Sequence, residues 1–337
     1  MIDALLERGL LPDRVLRLGI RRLLRQRLRD ALAPGWQADQ EALIRQLRDS
    51  PIALHTDTAN EQHYELPSAF FERVLGRHLK YSAGYWPDGC HELDESEAAM
   101  LELTVERADL ADGQRILELG CGWGSLSLFM AQRFPQASIL AVSNSASQRR
   151  FILERAAQRG LANLEVRTAD VNDLTLDRRF DRVVSVEMFE HVRNYPRLMG
   201  RIAYWLEPAG TLFVHIFCHR SVAYPFEDRG PSDWMARHFF TGGLMPSADL
   251  LIQLQEPFEL EHRWLVDGRH YQRTCEAWLA RMDAGREAIE PILAGVYGDD
   301  ASRRWWSYWR VFFMACAELF GYRGGKEWMV AHYRFRS

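Results

Sequence analysis

The chain has 337 residues, of which 47% are hydrophobic and 26% are charged, and its formal net charge at pH 7 is -4. These values predict one large folded domain with appended elements and argue against a disordered chain. A charge so close to neutral gives no field that attracts a polyanion. We therefore expect a small or lipid-like substrate and no nucleic-acid partner.

The cysteines and the apolar runs bear on the cellular compartment. The five cysteines form no CxxC pair and are odd in number, which argues against a disulfide framework and a zinc site, so no metal is expected. No apolar run reaches the roughly 18 residues that span a bilayer, and the first residues lack a signal-peptide core. We expect a cytoplasmic protein without membrane contact.

Residues 1–60 are predicted to form a helical arm. Apolar residues recur at helical spacing between positions 10 and 28, with arginines mostly on another stripe. A second helix is predicted for Asp39 to about Leu47, after the Pro34-Gly35 break. The basic face could contact an anionic surface or a second copy in a homodimer, or it could be solvated while the apolar stripe packs on the domain. The solvated face is favoured, because acidic residues dilute the charge.

The rest of the chain, residues 61–337, is predicted to form an α/β domain. From Arg115 onward, short apolar strands alternate with helices that begin near Ser125, Ala146 and Tyr195, as in βαβ units with a parallel, Rossmann-like sheet. The predicted strands are Arg115 to Leu119, Ser138 to Val142, Leu164 to Thr168, Arg182 to Val186, Gly210 to Phe217, Phe258 to Val266 and Trp328 to Phe335.

Two insertions are predicted in this domain. Periodicity fails at about residues 218–255, where Pro, Gly and aromatic residues accumulate, which is typical of a lid over an active site. A C-terminal helical extension is predicted at about residues 272–321, with helices near Gln272 to Leu293 and Ala301 to Leu319.

A glycine-rich run follows the first predicted strand. Its glycines, Gly120, Gly122 and Gly124, are spaced G-x-G-x-G after the acidic Glu118, whereas a dinucleotide fingerprint is G-x-G-x-x-G. Such a turn lets a ligand approach backbone N–H groups at a helix N-terminus, although an ordinary strand-turn-helix can have the same residues. The spacing resembles the first motif of class I S-adenosylmethionine (SAM) methyltransferases, in which the acidic residue lies close to the methionine ammonium.

Two further strand ends carry polar residues where ligands of open α/β sheets bind. Asp170 ends the third strand and could accept the adenine amino group's hydrogen bond, although a helix cap is an equal explanation. The second strand ends in Ser143-Asn144 and lacks the acidic residue that usually holds ribose hydroxyls. This absence disfavours an NAD site.

Two motifs point to a family. The run Arg182 to Tyr195, with Glu187-Met188-Phe189-Glu190-His191, and the run Tyr81 to Trp86 strongly resemble the cyclopropane-fatty-acid-synthase-like SAM methyltransferases. Within that group the chain is similar to the coclaurine N-methyltransferase family, through features such as Phe240-Thr241-Gly242-Gly243 and Phe320-Gly321-Tyr322. The resemblance implies SAM as cofactor, S-adenosylhomocysteine (SAH) as product and these cofactor residues: Tyr64, Tyr81, Ser82, Glu118, Gly120, Gly122, Gly124, Asn144, Gln148 and Asp170.

The motif after the fourth strand carries candidate catalytic residues. Glu187, Glu190 and His191 are spaced i, i+3 and i+4, so they would share one face if the segment is helical. Together they could bind an ammonium and remove its proton. Acidic residues that merely complement a helix dipole are the alternative, and the resemblance favours catalysis.

The lipid enzymes in the family hold a bicarbonate base. The resemblance implies that a cysteine and residues equivalent to Glu190, His215 and Tyr271 hold this ion. This chain has Ala83 at the cysteine position and Glu187 where the lipid enzymes have glycine. His215 could equally be a core histidine with an internal hydrogen bond.

These features favour N-methylation of a small, aromatic or alkaloid-like amine of the tetrahydroisoquinoline type. Two alternatives stay open: methylation or cyclopropanation of unsaturated acyl chains, and a non-catalytic SAM-binding protein. Aromatic walls would suit a cationic amine. The predicted pocket residues are His215, Phe217, Trp234, Phe239, Phe240 and Tyr271.

Overall fold

The protein is described here by a computed structural model that covers residues 7, 9, 11–54, 66–228, 230 and 233–337. Tyr64 and the predicted boundary between residues 60 and 61 lie outside these residues. The strands are β1 Arg115–Leu119, β2 Ser138–Ser143, β3 Leu164–Thr168, β4 Phe180–Val186, β5 Leu206–His219, β6 Tyr224–Pro225, β7 Leu244–Met245, β8 Glu259–Val266 and β9 Trp328–Arg336.

Seven strands form one twisted sheet in the order β3-β2-β1-β4-β5-β9-β8. The first five are parallel, and β9 runs antiparallel between β5 and β8. Alternate residues of a strand face opposite sides, so Leu117 joins one hydrophobic cluster and Ile116 another. The predicted Rossmann-like α/β fold is confirmed, and each predicted strand of the sheet is present within four residues of its expected bounds.

The helices flank this sheet and extend beyond it. They are α1 Asp13–Ala31, α2 Trp36–Asp49, α3 Ser68–Val74, α4 Leu93–Arg107, α5 Ser125–Arg133, α6 Ala146–Gln158, α7 Tyr195–Trp205, α8 Trp234–His238, α9 Leu250–Gln253, α10 Gly268–Ala284, α11 Arg286–Tyr297 and α12 Asp299–Phe320. None of them is long and apolar enough to cross a membrane.

Two helix predictions need correction. The single helix expected near Gln272 to Leu293 is two helices, because Gly285 ends α10 and begins α11. No element was predicted between residues 61 and 115, where α3 forms and is followed by α4. It begins where the Glu95 carboxylate accepts the N–H of Glu92, a capping box built from two acidic residues.

The N-terminal arm lies on the C-terminal helices. Ile20, Leu24 and Leu28 pack against the cluster around α10 and α12, but Val15 and Leu18 of the predicted stripe are exposed. Ion pairs reinforce this contact, since Arg17 binds both Glu276 of α10 and Glu318 of α12, while Arg21 binds Glu318 and Arg310 binds Asp13. The arm therefore supports α10 and α12.

Candidate functional site

Two cavities open at the carboxyl ends of the parallel strands. The first, here the cofactor cavity, lies above β1 to β4 and continues to the segment before Tyr81. The second, here the aromatic cavity, lies between the end of β5, the 218–255 segment and helices α10 and α12. Tyr81, Glu187 and His191 line both cavities. A group bound in one therefore meets a group bound in the other at these three residues.

Most of the predicted cofactor residues line the cofactor cavity. Gly124 does not: it precedes α5, and a Cβ there would lie 2.6 Å from the Ile152 side chain, so it serves helix packing. Asp170 lines the cavity while its Oδ1 accepts the N–H of Asn172, so it also forms a turn. The predicted residues that line it are Tyr81, Ser82, Glu118, Gly120, Gly122, Asn144, Gln148 and Asp170.

The glycine turn brings backbone close to the cavity. Gly120 and Gly122 have φ angles of 80° and 51°, in the region that favours glycine. A Cβ on Gly120 would lie 2.6 Å from the Met188 side chain, whereas one on Gly122 would meet no protein atom within 4 Å. Gly120 thus allows the β1 and β4 loops to meet, and Gly122 leaves space for a ligand.

Unpaired polar atoms around the cavity fit a polar ligand. Within the described chain, Gln148 Nε2, Trp123 Nε1 and Ser125 Oγ are buried and have no hydrogen-bond partner. Gln148 Oε1 accepts the Ser143 hydroxyl at 2.6 Å, which directs its amide. Buried donors are usually satisfied, so these atoms are suited to the hydroxyl and carboxylate oxygens of SAM.

Glu118 adds a site for a cation. Burial raises its pKa to about 8, although the Ser127 hydroxyl donates to the carboxylate and acts in the opposite direction. A ligand ammonium would stabilise the ionised form in this low-dielectric position. The residues present therefore fit SAM, with its cationic amino group at Glu118.

Lys80 is a site residue that sequence reasoning missed. It is only 2% exposed and lines the cofactor cavity. Its ammonium donates to Ser82 Oγ at 2.5 Å and to the carbonyl oxygen of Ala83 at 2.8 Å. Burial lowers its pKa to about 8, while Glu187 and Glu97 oppose that shift. No signal marked it, because a single lysine is usually an exposed residue.

The aromatic cavity contains three of the six predicted pocket residues, Phe217, Phe240 and Tyr271. The other three do not line it. Phe239 is fully buried and stacks on Phe312 with ring centroids 4.5 Å apart, Trp234 packs edge-on against Tyr308, and His215 is enclosed in the sheet. Sequence reasoning missed other residues that line this cavity: Phe226, Met235, Met245, Trp278, Phe312, Cys316, Leu319 and Phe320.

Glu187 is held by donors from three parts of the chain. Its Oε1 accepts the Ala83 N–H at 2.9 Å and lies 3.1 Å from His215 Nε2, and its Oε2 accepts the Tyr271 hydroxyl at 2.6 Å. Burial raises its pKa, and Lys80 is the largest opposing influence. Its φ of 48° is unusual for a residue with a side chain. Such strain is typical of functional positions.

The segment after Glu187 is not the expected helix. A short 3-10 turn covers Phe189–His191, so the condition for a common α-helical face of Glu187, Glu190 and His191 is not met. Glu190 Oε1 accepts the Phe217 N–H at 2.8 Å, and burial and the nearby Glu187 raise the Glu190 pKa well above its usual range. Glu190 lines neither cavity. Burial lowers the His191 pKa to about 4, which leaves a neutral imidazole at pH 7.

Residues 54–326 match the mycolic acid cyclopropane synthetase family. The chain belongs to this family. Its relatives include (S)-coclaurine N-methyltransferase from Thalictrum flavum subsp. glaucum, 38% identical over 98% of this chain and 94% of that protein. Cyclopropane-fatty-acyl-phospholipid synthase from Escherichia coli strain K12 is 30% identical over 81% of this chain and 67% of its own.

A solved structure in the family has nearly the same fold. The crystal structure of coclaurine N-methyltransferase bound to N-methylheliamine and SAH superposes with a TM-score of 0.96. The two chains are 36% identical, and the match covers 100% of this chain and 99% of the other. The predicted family and the prediction of a SAM-dependent methyltransferase are confirmed.

Proposed function

We propose that this protein transfers a methyl group from SAM to the nitrogen of a small aromatic amine of the tetrahydroisoquinoline type. One observation carries the proposal. A buried carboxylate, Glu187, stands at the junction of the two cavities, beside aromatic walls that suit a cationic ring. The similarity to coclaurine N-methyltransferases supports the same substrate class.

Glu187 would receive the substrate ammonium. A carboxylate has about four lone-pair positions, and three are engaged by Ala83, His215 and Tyr271. One position on Oε2 remains for a substrate N–H. Because the site is enclosed, a charge-assisted bond there is stronger than it would be in water.

His191 would complete the deprotonation. Its neutral imidazole lines both cavities and packs against Phe240, with ring centroids 4.8 Å apart. The substrate N–H bond breaks as the imidazole or the Glu187 carboxylate takes the proton, and the electron pair stays on nitrogen as the nucleophile. Glu190 would act as a positioning residue, because its carboxylate fixes the backbone of Phe217 at the cavity wall.

The cofactor cavity would align the methyl donor with that nitrogen. When bound, SAM supplies an electrophilic methyl group on a sulfonium. The chain's part is to hold the ligand with Glu118, Gln148 and the glycine turn, and to exclude water with Tyr81. Positioning of this kind accounts for much of the catalysis of a displacement reaction.

The same geometry disfavours the lipid alternative. In the lipid enzymes that the chain resembles, a bound bicarbonate is the base, held by residues that include the equivalents of His215 and Tyr271. Here those two residues donate to the Glu187 carboxylate. We infer that Glu187 replaces the bicarbonate with a carboxylate attached to the chain, at the point where a cationic amine arrives.

The test compares wild type with Glu187→Gly on a cyclic secondary amine and on an unsaturated phospholipid. Loss of a charge-assisted bond predicts a fall in kcat/KM for the amine of about tenfold to a hundredfold. Glycine accepts a φ of 48° without strain, but three buried donors lose their acceptor, so initial rates should be measured below the temperature at which the variant begins to unfold. Reduced activity would then not reflect unfolding.

Added bicarbonate provides the second measurement of this test. If Glu187 occupies the site of that ion, bicarbonate should restore part of the activity of Glu187→Gly and leave the wild type unchanged. A variant with full amine activity, or a wild type that methylates only the phospholipid, would overturn the proposal. A homodimer and a cytoplasmic location stay predictions, which light scattering of the purified protein and cell fractionation would test.

A further inference from the structure

A buried row of hydrogen bonds runs from Glu187 away from both cavities. His215 Nε2 lies 3.1 Å from Glu187 Oε1, and His215 Nδ1 lies 3.0 Å from His332 Nε2. His332 Nδ1 in turn lies 2.9 Å from Arg107 Nη1. Both histidines have no exposed surface. The row therefore links the proposed site to the last residue of α4.

The sheet register creates this row. His215 of β5 and His332 of β9 are direct partners in the antiparallel pairing, and Trp264 of β8 is the next partner of His332. Directly paired residues project from the same face. Arg107 lies over the Trp264 ring, 5.1 Å from its centroid. The N–H of Glu187 also donates to the His215 carbonyl oxygen at 2.8 Å, so backbone and side chain are fixed together.

Arg107 constrains the proton positions along the row from its outer end. A guanidinium has only donors, so His332 Nδ1 must accept and carry no hydrogen. A neutral His332 then has its hydrogen on Nε2 and donates to His215 Nδ1. By the same rule His215 has its hydrogen on Nε2 and donates to Glu187. The Glu187 carboxylate, which can only accept, requires the same two tautomers from the other end, so Arg107 and Glu187 together fix the proton positions.

We propose that Arg107 is a positioning residue for this methyltransferase, which acts through His332 and His215 to keep a hydrogen-bond donor directed at the Glu187 carboxylate. The proposal rests on the proposed role of Glu187. It also implies that the row does not conduct protons, because His215 Nε2 already carries a hydrogen and Arg107 cannot accept one. The substrate proton would then leave through the cavities.

The surroundings favour neutral histidines. Burial lowers the pKa of His215 and of His332 well below the usual range, and the cations of Lys80 and Arg107 act in the same direction. Glu187 is also faced by Tyr271 from α10, by His191 and Glu190 from the 3-10 turn, and by Lys80. Among the residues that the structure describes, no carboxylate forms an ion pair with Arg107. Its guanidinium is directed instead at an imidazole.

The first experiment measures the tautomers directly. In wild-type protein with 15N-labelled histidine, long-range 1H–15N spectra should show His215 and His332 with hydrogen on Nε2 and bare Nδ1. In Arg107→Leu the His332 signals should move toward a mixture of tautomers, and in Arg107→Lys they should stay as in wild type. A hydrogen on Nδ1 of either wild-type histidine would overturn the proposal, whatever the role of Glu187.

The second experiment measures the consequence for catalysis. Arg107→Leu should lower kcat about three- to tenfold, as expected for one weakened hydrogen bond, with SAM affinity unchanged. The acid limb of its pH profile should move to higher pH, because the Glu187 carboxylate loses a donor and a distant cation. Arg107→Lys should restore both. Arg182→Leu is the matched control, since this arginine, 17% exposed, pairs with Asp109 just beyond α4 and lies outside the row.

The two measurements separate the possible explanations. If Arg107→Leu and Arg182→Leu lose kcat equally and neither shifts the pH profile, Arg107 is only a structural residue and the proposal fails. If the tautomers follow Arg107 as expected but Glu187→Gly keeps full amine activity, the failure lies in the role proposed for Glu187.

Discussion

The cofactor cavity and the aromatic cavity are built from the chain in different ways. All four loops that follow β1 to β4 line the first through short runs, such as Glu118 to Trp123 at the end of β1. The second combines β5, the 218–255 segment, α10 and α12, which are far apart in the sequence. Local backbone geometry therefore determines the cofactor cavity, whereas long-range packing determines the aromatic cavity. Substitutions in the two cavities should therefore impair the enzyme for different physical reasons.

The sharpest test of local geometry is Gly120→Ala. The new Cβ would lie 2.6 Å from Met188 at the floor of the cofactor cavity. A displacement of about 1 Å at such a site can cost about a hundredfold in turnover, and calorimetry should show weaker SAM binding. Gly113→Ala is the control, because Gly113 has the same φ of 80° but no atom within 4 Å of its Cβ position. Equal losses in both variants would mean that backbone strain alone is responsible.

Glu118 tests whether the cofactor cavity binds a cation. With its pKa raised by burial to about 8, Glu118 is expected to be mostly protonated at pH 7 without ligand, so binding the SAM ammonium should release a proton. SAM affinity should rise between pH 6 and 7.5 and should depend on the buffer's ionisation enthalpy in calorimetry. Glu118→Gln should bind about tenfold more weakly, without this proton release. Proton release that persists in Glu118→Gln would contradict the assignment.

The smallest effect concerns the walls of the aromatic cavity. Phe240→Leu removes a ring that faces the cavity beside His191 and should raise KM for the amine about two- to fivefold. Trp234→Leu should lower the melting temperature through lost contact with Tyr308 and leave KM unchanged. Initial rates and thermal unfolding of both variants check this pair. An increase in KM for Trp234→Leu would show instead that Trp234 contributes to substrate binding.

The sequence was sufficient where function depends on neighbouring residues. The glycine turn and the strand ends at Asn144 and Asp170 line one cavity, because each follows an apolar strand and such ends meet at one sheet edge. Gly124 shares this pattern but does not line the cavity, because a glycine that admits a ligand and one that admits a neighbouring helix look the same in the sequence. Only the distance to Ile152 separates them.

The sequence was insufficient where function depends on packing between distant segments. Phe239 and Phe240 are adjacent, yet only Phe240 faces the cavity. Glu187 has a positive φ, which a helical segment would not have. Residue propensities do not predict a glutamate with its backbone in the left-handed region. His332 and Arg107 gained their roles only through the register of β5 and β9. Pairing across 117 residues leaves no local signal.

The ion pairs of the arm have a consequence for how this protein can diverge. Glu318 binds Arg17 and Arg21 of α1, and it is adjacent to Leu319 in the wall of the aromatic cavity. The ion pairs thus hold α1 against the segment of α12 that lines the aromatic cavity. A gene exchange that replaced the arm alone would separate matched charges and shift that wall. Arm and α12 should therefore be inherited together, and new substrate preferences can arise from mutations in α1, which does not line the aromatic cavity.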